Sequence, residues 1–223
     1  MSFAFLGVAL IIAVVNWIAV IKSWKPLDYF TKPAVMLALL VWLWTNDGFM
    51  GPLIWFSLGL IFSLAGDVFL MLPREQFIAG LVSFLLAHVA YIIGFSLTPP
   101  PINLPGLILA LVILLTAFQI FRRIAAGLDS TNNSDLKLPV MVYTIVISLM
   151  LLSALLTFLR PEWNFLPSIL VSFGAMLFFL SDTFLAWNKF VAPIRYRNLL
   201  VIVNYHLGQM LIILGALLHF RAF

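Results

Sequence analysis

Apolar residues in this chain run in long blocks with almost no polar interruption, and short clusters between the blocks hold nearly all of the charge. The blocks fall at 1–21, 33–46, 52–72, 77–97, 104–121, 138–159, 165–187 and 198–220. Most are near the roughly 20 residues that carry an α-helix across a bilayer. The pattern predicts an all-α membrane protein, a bundle of eight transmembrane helices. The second run is the weakest: its strictly apolar part, 34–45, fits a tilted or interfacial segment as well as a full crossing. The first run has no Lys or Arg ahead of it. It therefore lacks the basic lead of a cleaved signal peptide and reads as a retained helix.

The twelve prolines agree with this segmentation. Each is expected in a loop or a first helical turn, where a missing N–H costs little, so that no span is broken. Trp24, Trp44, Trp163 and Trp187 stand at the predicted ends, as rings of an interfacial belt would. Lys22, Lys25, Lys32, Arg74, Arg122, Arg123, Lys137, Lys189, Arg195 and Arg197 all fall on one side of this topology, against Arg160 and Arg221 elsewhere. The positive-inside rule makes the first side cytoplasmic and puts both termini on the other.

Composition sharpens the class. The chain has 223 residues, 64% hydrophobic and 9% charged, with a mean hydropathy of +1.16. A soluble fold, a disordered chain and a nucleic-acid module are thereby excluded. The formal charge of +4 follows from topology and requires no polyanionic partner. With no cysteine there is no disulfide, thiolate metal site or thiol nucleophile. The loops are too short for a second domain, so residues 1–223 read as one transmembrane domain. The longest, 122–137, reads as a solvated connector through its Asp-Ser-Thr-Asn-Asn-Ser stretch. Any function must lie within the bundle.

Of eight acidic residues, only Asp67 and Asp182 fall inside spans. A carboxylate in the hydrocarbon core costs roughly 2.5 to 3.5 kcal/mol on insertion scales, so it needs a partner or a wet cavity. Each lies about 8 Å inside the basic end of its predicted span, at 1.5 Å per residue. Other polar groups reach the same layer: Asn16, Ser63, His88 with Tyr91, and Asn204, Tyr205 and Gln209. Lys32 is expected to open span two at its mouth, either snorkelling to the interface or meeting a phosphate. The pattern predicts a polar pocket in one half of the bundle, opening toward the cytoplasm. As interhelical glue, two charged groups are costlier than Ser or Asn. His88 alone reads equally well as a neutral hydrogen-bonding histidine, and Tyr205 and Gln209 as pocket walls. His206 and His219 carry no assigned role.

A faint echo links Phe62-Ser-Leu-Ala-Gly-Asp67-Val-Phe-Leu to Phe179-Leu-Ser-Asp182-Thr-Phe-Leu. A parallel four-plus-four repeat would leave this trace and would relate the two aspartates by an axis along the membrane normal. Chance likeness between apolar helices is the competing explanation.

Three scattered histidines argue against zinc, and H-E-x-x-H, G-x-S-x-G and Walker patterns are missing. No cofactor or metal is expected. What remains is acid–base chemistry by carboxyls in a low-dielectric pocket, where repulsion and desolvation keep one protonated while the other is ionised.

Several motifs in order resemble one family. They are Lys32-Pro33; Ser63 with Gly66-Asp67; Gly80-x-x-x-Phe84-x-x-x-His88-x-x-Tyr91; Gly174-x-x-x-Phe178-x-x-Ser181-Asp182; and Tyr205-x-x-x-Gln209. Over nearly the whole chain they are similar to the lysoplasmalogenase, or YhhN-like, family of membrane proteins. The resemblance implies hydrolysis of the vinyl ether bond of a lysophospholipid to a fatty aldehyde and glycerophosphoethanolamine or glycerophosphocholine. It implies Asp67 and Asp182 as the catalytic pair. Lys32, Ser63, His88, Tyr91, Asn204, Tyr205 and Gln209 would be substrate-binding, with membrane lipid as the surroundings and a bacterial inner membrane as the location. Two other classes compete. A proton- or ion-coupled transporter could use the same pair. An intramembrane aspartyl protease is disfavoured, because Leu64-Ala-Gly-Asp67 lacks the first glycine of G-x-G-D and Ser181 rather than Tyr precedes Asp182.

Overall fold

The computed structural model describes residues 3–72, 76–99 and 102–221. Among them eight α-helices follow the predicted runs: α1 (Ala4–Ile21), α2 (Lys25–Trp44), α3 (Ile54–Met71), α4 (Phe77–Phe95), α5 (Leu104–Ser130), α6 (Lys137–Leu155), α7 (Phe165–Phe190) and α8 (Arg197–Phe220). All eight are long and apolar enough to cross a bilayer, and the chain is a multi-pass integral membrane protein. Pro73, Arg74, Glu75, Pro100 and Pro101, which enter the loop and charge readings above, lie outside the described residues.

Neighbouring helices pack in the order α1, α2, α3, α4, α6, α7, α8 and back to α1, while α5 docks against α6 and α7. α8 also touches α2 and α3, which makes it the inner helix of the bundle. On α5, Leu107, Leu111, Leu114, Leu115 and Phe118 are half or more exposed, as befits a helix whose outer face is solvated by lipid. The α7/α8 crossing is set by small residues. A methyl group on Gly174 would meet the Gly208 carbonyl at 2.7 Å, and one on Gly208 would meet the Gly174 carbonyl at 2.9 Å. Backbones can approach this closely only without side chains between them. The Ser181 hydroxyl adds a bond across the same pair to the Val201 carbonyl, at 3.0 Å.

Several expectations are corrected. α2 begins at Lys25 rather than 33, with Pro26 in its first turn, and is a full-length helix. Lys32 is therefore two turns inside α2 and does not open it. Pro33 lies in the helix interior, contrary to the expectation that every proline falls in a loop or first turn. It cannot bond the Tyr29 carbonyl, and Tyr29 borders a polar cavity. The connector after 122 is shorter than predicted, because α5 continues through Arg122 and Arg123 to Ser130. Ile124 and Leu128 supply the buried stripe that holds this polar extension to the bundle. Trp163 is only 8% exposed and stacks on His219 with ring centroids 3.8 Å apart, so it belongs to the core and not to a lipid-facing belt.

The end of the bundle opposite the basic loops also holds a buried charge. Arg160 is buried there and donates through Nη1 to the Phe95 and Thr98 carbonyls at 2.8 and 2.7 Å. It satisfies the carbonyls that the end of α4 would otherwise leave unpaired.

Candidate functional site

Asp67 sits one turn before the end of α3 and is 1% exposed. Lys32 on α2 places Nζ 3.0 Å from Asp67 Oδ1. Tyr205 on α8 donates its hydroxyl to Oδ2 at 2.8 Å. The extra turns of α2 make this possible, since a lysine at a helix mouth would have pointed its charge away from the interior. One turn deeper, Tyr91 on α4 donates to Gln209 Oε1 at 2.6 Å, and Gln209 Nε2 donates to Ser63 Oγ at 2.8 Å. These groups are buried. Gly59 leaves the space that the Tyr91 ring fills, and a methyl group there would overlap it. Four helices thus supply one connected polar layer: Lys32, Asp67 with Ser63, Tyr91, and Tyr205 with Gln209.

Asp182 on α7 has its own partners. Tyr143 on α6 donates its hydroxyl to Asp182 Oδ2. His88 Nε2 on α4 lies 2.9 Å from the Tyr143 oxygen and 3.4 Å from Asp182 Oδ2. With the Tyr143 hydroxyl donating to the carboxylate, its oxygen can accept from an Nε2–H of His88. The side chain of Asp182 is 15% exposed, whereas His88 is fully enclosed.

Aromatic rings join the two centres. His88 packs on Phe178 with centroids 4.7 Å apart, Phe178 on Tyr205 at 5.3 Å, and Phe84 on Tyr205 at 5.8 Å. Asp67, Asp182, Lys32, Ser63, His88, Tyr91, Tyr205 and Gln209 are therefore gathered in one region. Asn204 is not joined to them: its Nδ2 donates to the Leu200 carbonyl on its own helix, at 2.8 Å. Asn16 turns toward α2 instead, donating to Asp28 Oδ1 at 2.8 Å and Thr31 Oγ1 at 2.9 Å.

Tyr143 is the partner the sequence reading missed. Its signal was a Tyr-Thr pair interrupting an otherwise aliphatic stretch of the sixth run. Asp28 stands in the first turn of α2 rather than in a loop, which brings it within reach of Asn16. His206 is fully buried and accepts the Trp17 indole N–H on Nδ1 at 3.2 Å. Among the described residues no cluster of three or more histidine or acidic side chains could hold a metal ion.

Two cavities reach this region. A polar one of about 420 Å³ opens at the basic end, bordered by Lys25, Asp28, Lys32 and Arg197. An apolar one of about 70 Å³ lies among α4, α5, α6 and α7 and the end of α3, with Tyr143 and Asp182 in its wall and Phe77, Phe84 and Ile124 beside them. Such an arrangement can hold an amphiphile and present the Asp182 carboxyl to it away from bulk water, with Lys32 linking the polar cavity to Asp67.

Residues 27–216 match the model of the YhhN family. Among curated proteins, the chain is 33% identical to pig (Sus scrofa) lysoplasmalogenase TMEM86B over 180 residues, covering 81% of this chain and 71% of the relative. It is 32% identical to the mouse (Mus musculus) protein of that name over 202 residues, 87% of this chain and 80% of the relative. With human (Homo sapiens) lysoplasmalogenase TMEM86A it shares 29% identity over 161 residues, 71% and 63% of the two chains. No solved structure matches the chain.

Proposed function

Because the chain belongs to the YhhN family, we propose that it is a lysoplasmalogenase, hydrolysing the vinyl ether bond of a single-chain alkenyl phospholipid. The names of its relatives over about four-fifths of the chain support this reading. The observation that carries it is the pair of intramembrane carboxyls, one locked to Lys32 and Tyr205 and the other in the wall of an apolar cavity.

The chemistry needs one proton and one water. A proton is transferred to the alkenyl carbon β to the ether oxygen, forming a C–H bond and leaving an oxocarbenium ion. Water adds to the carbon bearing the oxygen and gives up a proton. The resulting hemiacetal collapses to a fatty aldehyde and the freed glycerol hydroxyl of glycerophosphoethanolamine or glycerophosphocholine. Asp182 is the proton donor in this scheme. Its Oδ2 meets Tyr143 and His88, and these two residues form the route by which the spent proton is replaced. Asp67 is the ionised partner. Paired with Lys32 and Tyr205, it stabilises the developing cation and orients the water. Ser63, Tyr91 and Gln209 hold Tyr205 and the floor of the site. Lys32, facing both Asp67 and the polar cavity, meets the substrate phosphate as well.

By the distribution of basic residues the polar cavity faces the cytoplasm, with both termini on the other side, and a bacterial inner membrane is the proposed location. The test uses purified protein in detergent and D₂O, with an alkenyl lysophospholipid and its saturated-ether counterpart. The alkenyl lipid should yield aldehyde carrying one deuterium beside the carbonyl, and the saturated ether nothing. No aldehyde from the alkenyl lipid would refute the proposal. Substrate uptake into proteoliposomes without product would favour a carrier.

A further inference from the structure

Leu70 and Leu185 are the two described residues that border both cavities. Each stands three positions after an intramembrane aspartate, in the Asp67-Val-Phe-Leu70 and Asp182-Thr-Phe-Leu185 segments. Residues three apart lie on one helix face, about 4.5 Å along the axis. Each leucine therefore shares a face with its carboxylate, one turn nearer the basic end.

The two sides of this boundary differ in chemistry. The polar cavity has Lys25, Lys32 and Arg197 for a phosphate and Asp28 for an amine, which together match a zwitterionic head group. The apolar cavity is bordered mainly by aliphatic and phenyl side chains. At about 70 Å³ it admits the start of one hydrocarbon chain, which would continue along the exposed apolar face of α5. Leu70 is also firmly seated. A methyl group on Gly80 would come within 2.6 Å of Leu70 Cδ2, so Gly80 leaves the space in which this side chain rests.

We propose that Leu70 and Leu185 form the septum between a head-group subsite and a chain subsite, and that they set the preference for one-chain over two-chain phospholipids. This rests on the lysophospholipid reading above. The head group lies on the cationic side, the glycerol passes between the leucines, and the linkage to be cut is held beside Asp182 with the chain beyond it. A lipid with a second acyl chain meets a passage wide enough for one.

The experiment measures equilibrium binding of two uncleavable probes to the purified protein, a saturated-ether lysophospholipid and its two-chain saturated counterpart, alongside aldehyde release from the alkenyl lysophospholipid. Leu70→Ala and Leu185→Ala should each relax the one-chain preference about tenfold, the low end of what apolar pocket contacts discriminate. Gly80→Ala, which presses on Leu70, should weaken binding of the one-chain probe. Glycerophosphoethanolamine should compete equally well in all variants, which also reports that they are folded. If wild type releases aldehyde and both leucine variants keep its probe ratio, the septum is wrong and the hydrolase reading stands. If wild type releases none, yet the leucine variants relax its preference, the septum stands and the hydrolase reading falls.

Discussion

Lys32 Nζ stands 3.0 Å from Asp67 Oδ1 within the bundle, and Tyr205 donates to the other carboxylate oxygen at 2.8 Å. Lys32→Met would leave that carboxylate buried without its cation. Breaking one side of a buried pair costs about 3 to 5 kcal/mol, so thermal unfolding in detergent should occur at a clearly lower temperature and aldehyde release should be lost. Adding Asp67→Asn to Lys32→Met should recover much of the stability and none of the activity.

Tyr143 links His88 to Asp182. Tyr143→Phe keeps the ring and removes only the hydroxyl. Turnover should fall by about 10²-fold, the low end for a group that supports proton transfer, with the unfolding temperature nearly unchanged. The check is kcat measured beside a melting curve. A variant with wild-type kcat would remove Tyr143 from the proton route.

The helices were legible in the sequence because burial in lipid demands long apolar runs, and nothing in a soluble protein imitates eight of them. Asp67 and Asp182 were legible for the complementary reason, that each is costly where it stands. What escaped was pairing between helices. Tyr143 carries no charge, and the register of its helix cannot be read from an aliphatic run. The first turns of α2 are hidden in the sequence because Lys25, Asp28 and Lys32 look like loop residues until a cavity and a buried carboxylate are there to receive them. Asn204 neighbours Tyr205 in the chain, but its side chain bonds its own helix, a choice that position alone does not reveal.

The Gly174–Gly208 contact holds the helices that bear Asp182 and Tyr205. Gly174→Ala forces them apart, so stability and activity should fall together. Gly7 on α1 has open space around it, and Gly7→Ala should be neutral or stabilising by about 0.5 to 1 kcal/mol, the helix preference of alanine over glycine. Melting curves of the two variants, with aldehyde release, separate these outcomes.

Arg160 secures the end of α4 far from the carboxyls. Arg160→Met should cost about 1 to 3 kcal/mol for the carbonyls left unsatisfied. Activity per folded molecule should be unchanged, as measured by aldehyde release below the melting transition.

The most direct measurement of the central claim is aldehyde release from an alkenyl lysophospholipid by Asp67→Asn and Asp182→Asn, each first shown to be folded by its melting curve. The account predicts that either substitution alone lowers the rate by at least about 10²-fold, as loss of a positioned acid or base does. Wild-type rates from both variants would contradict it.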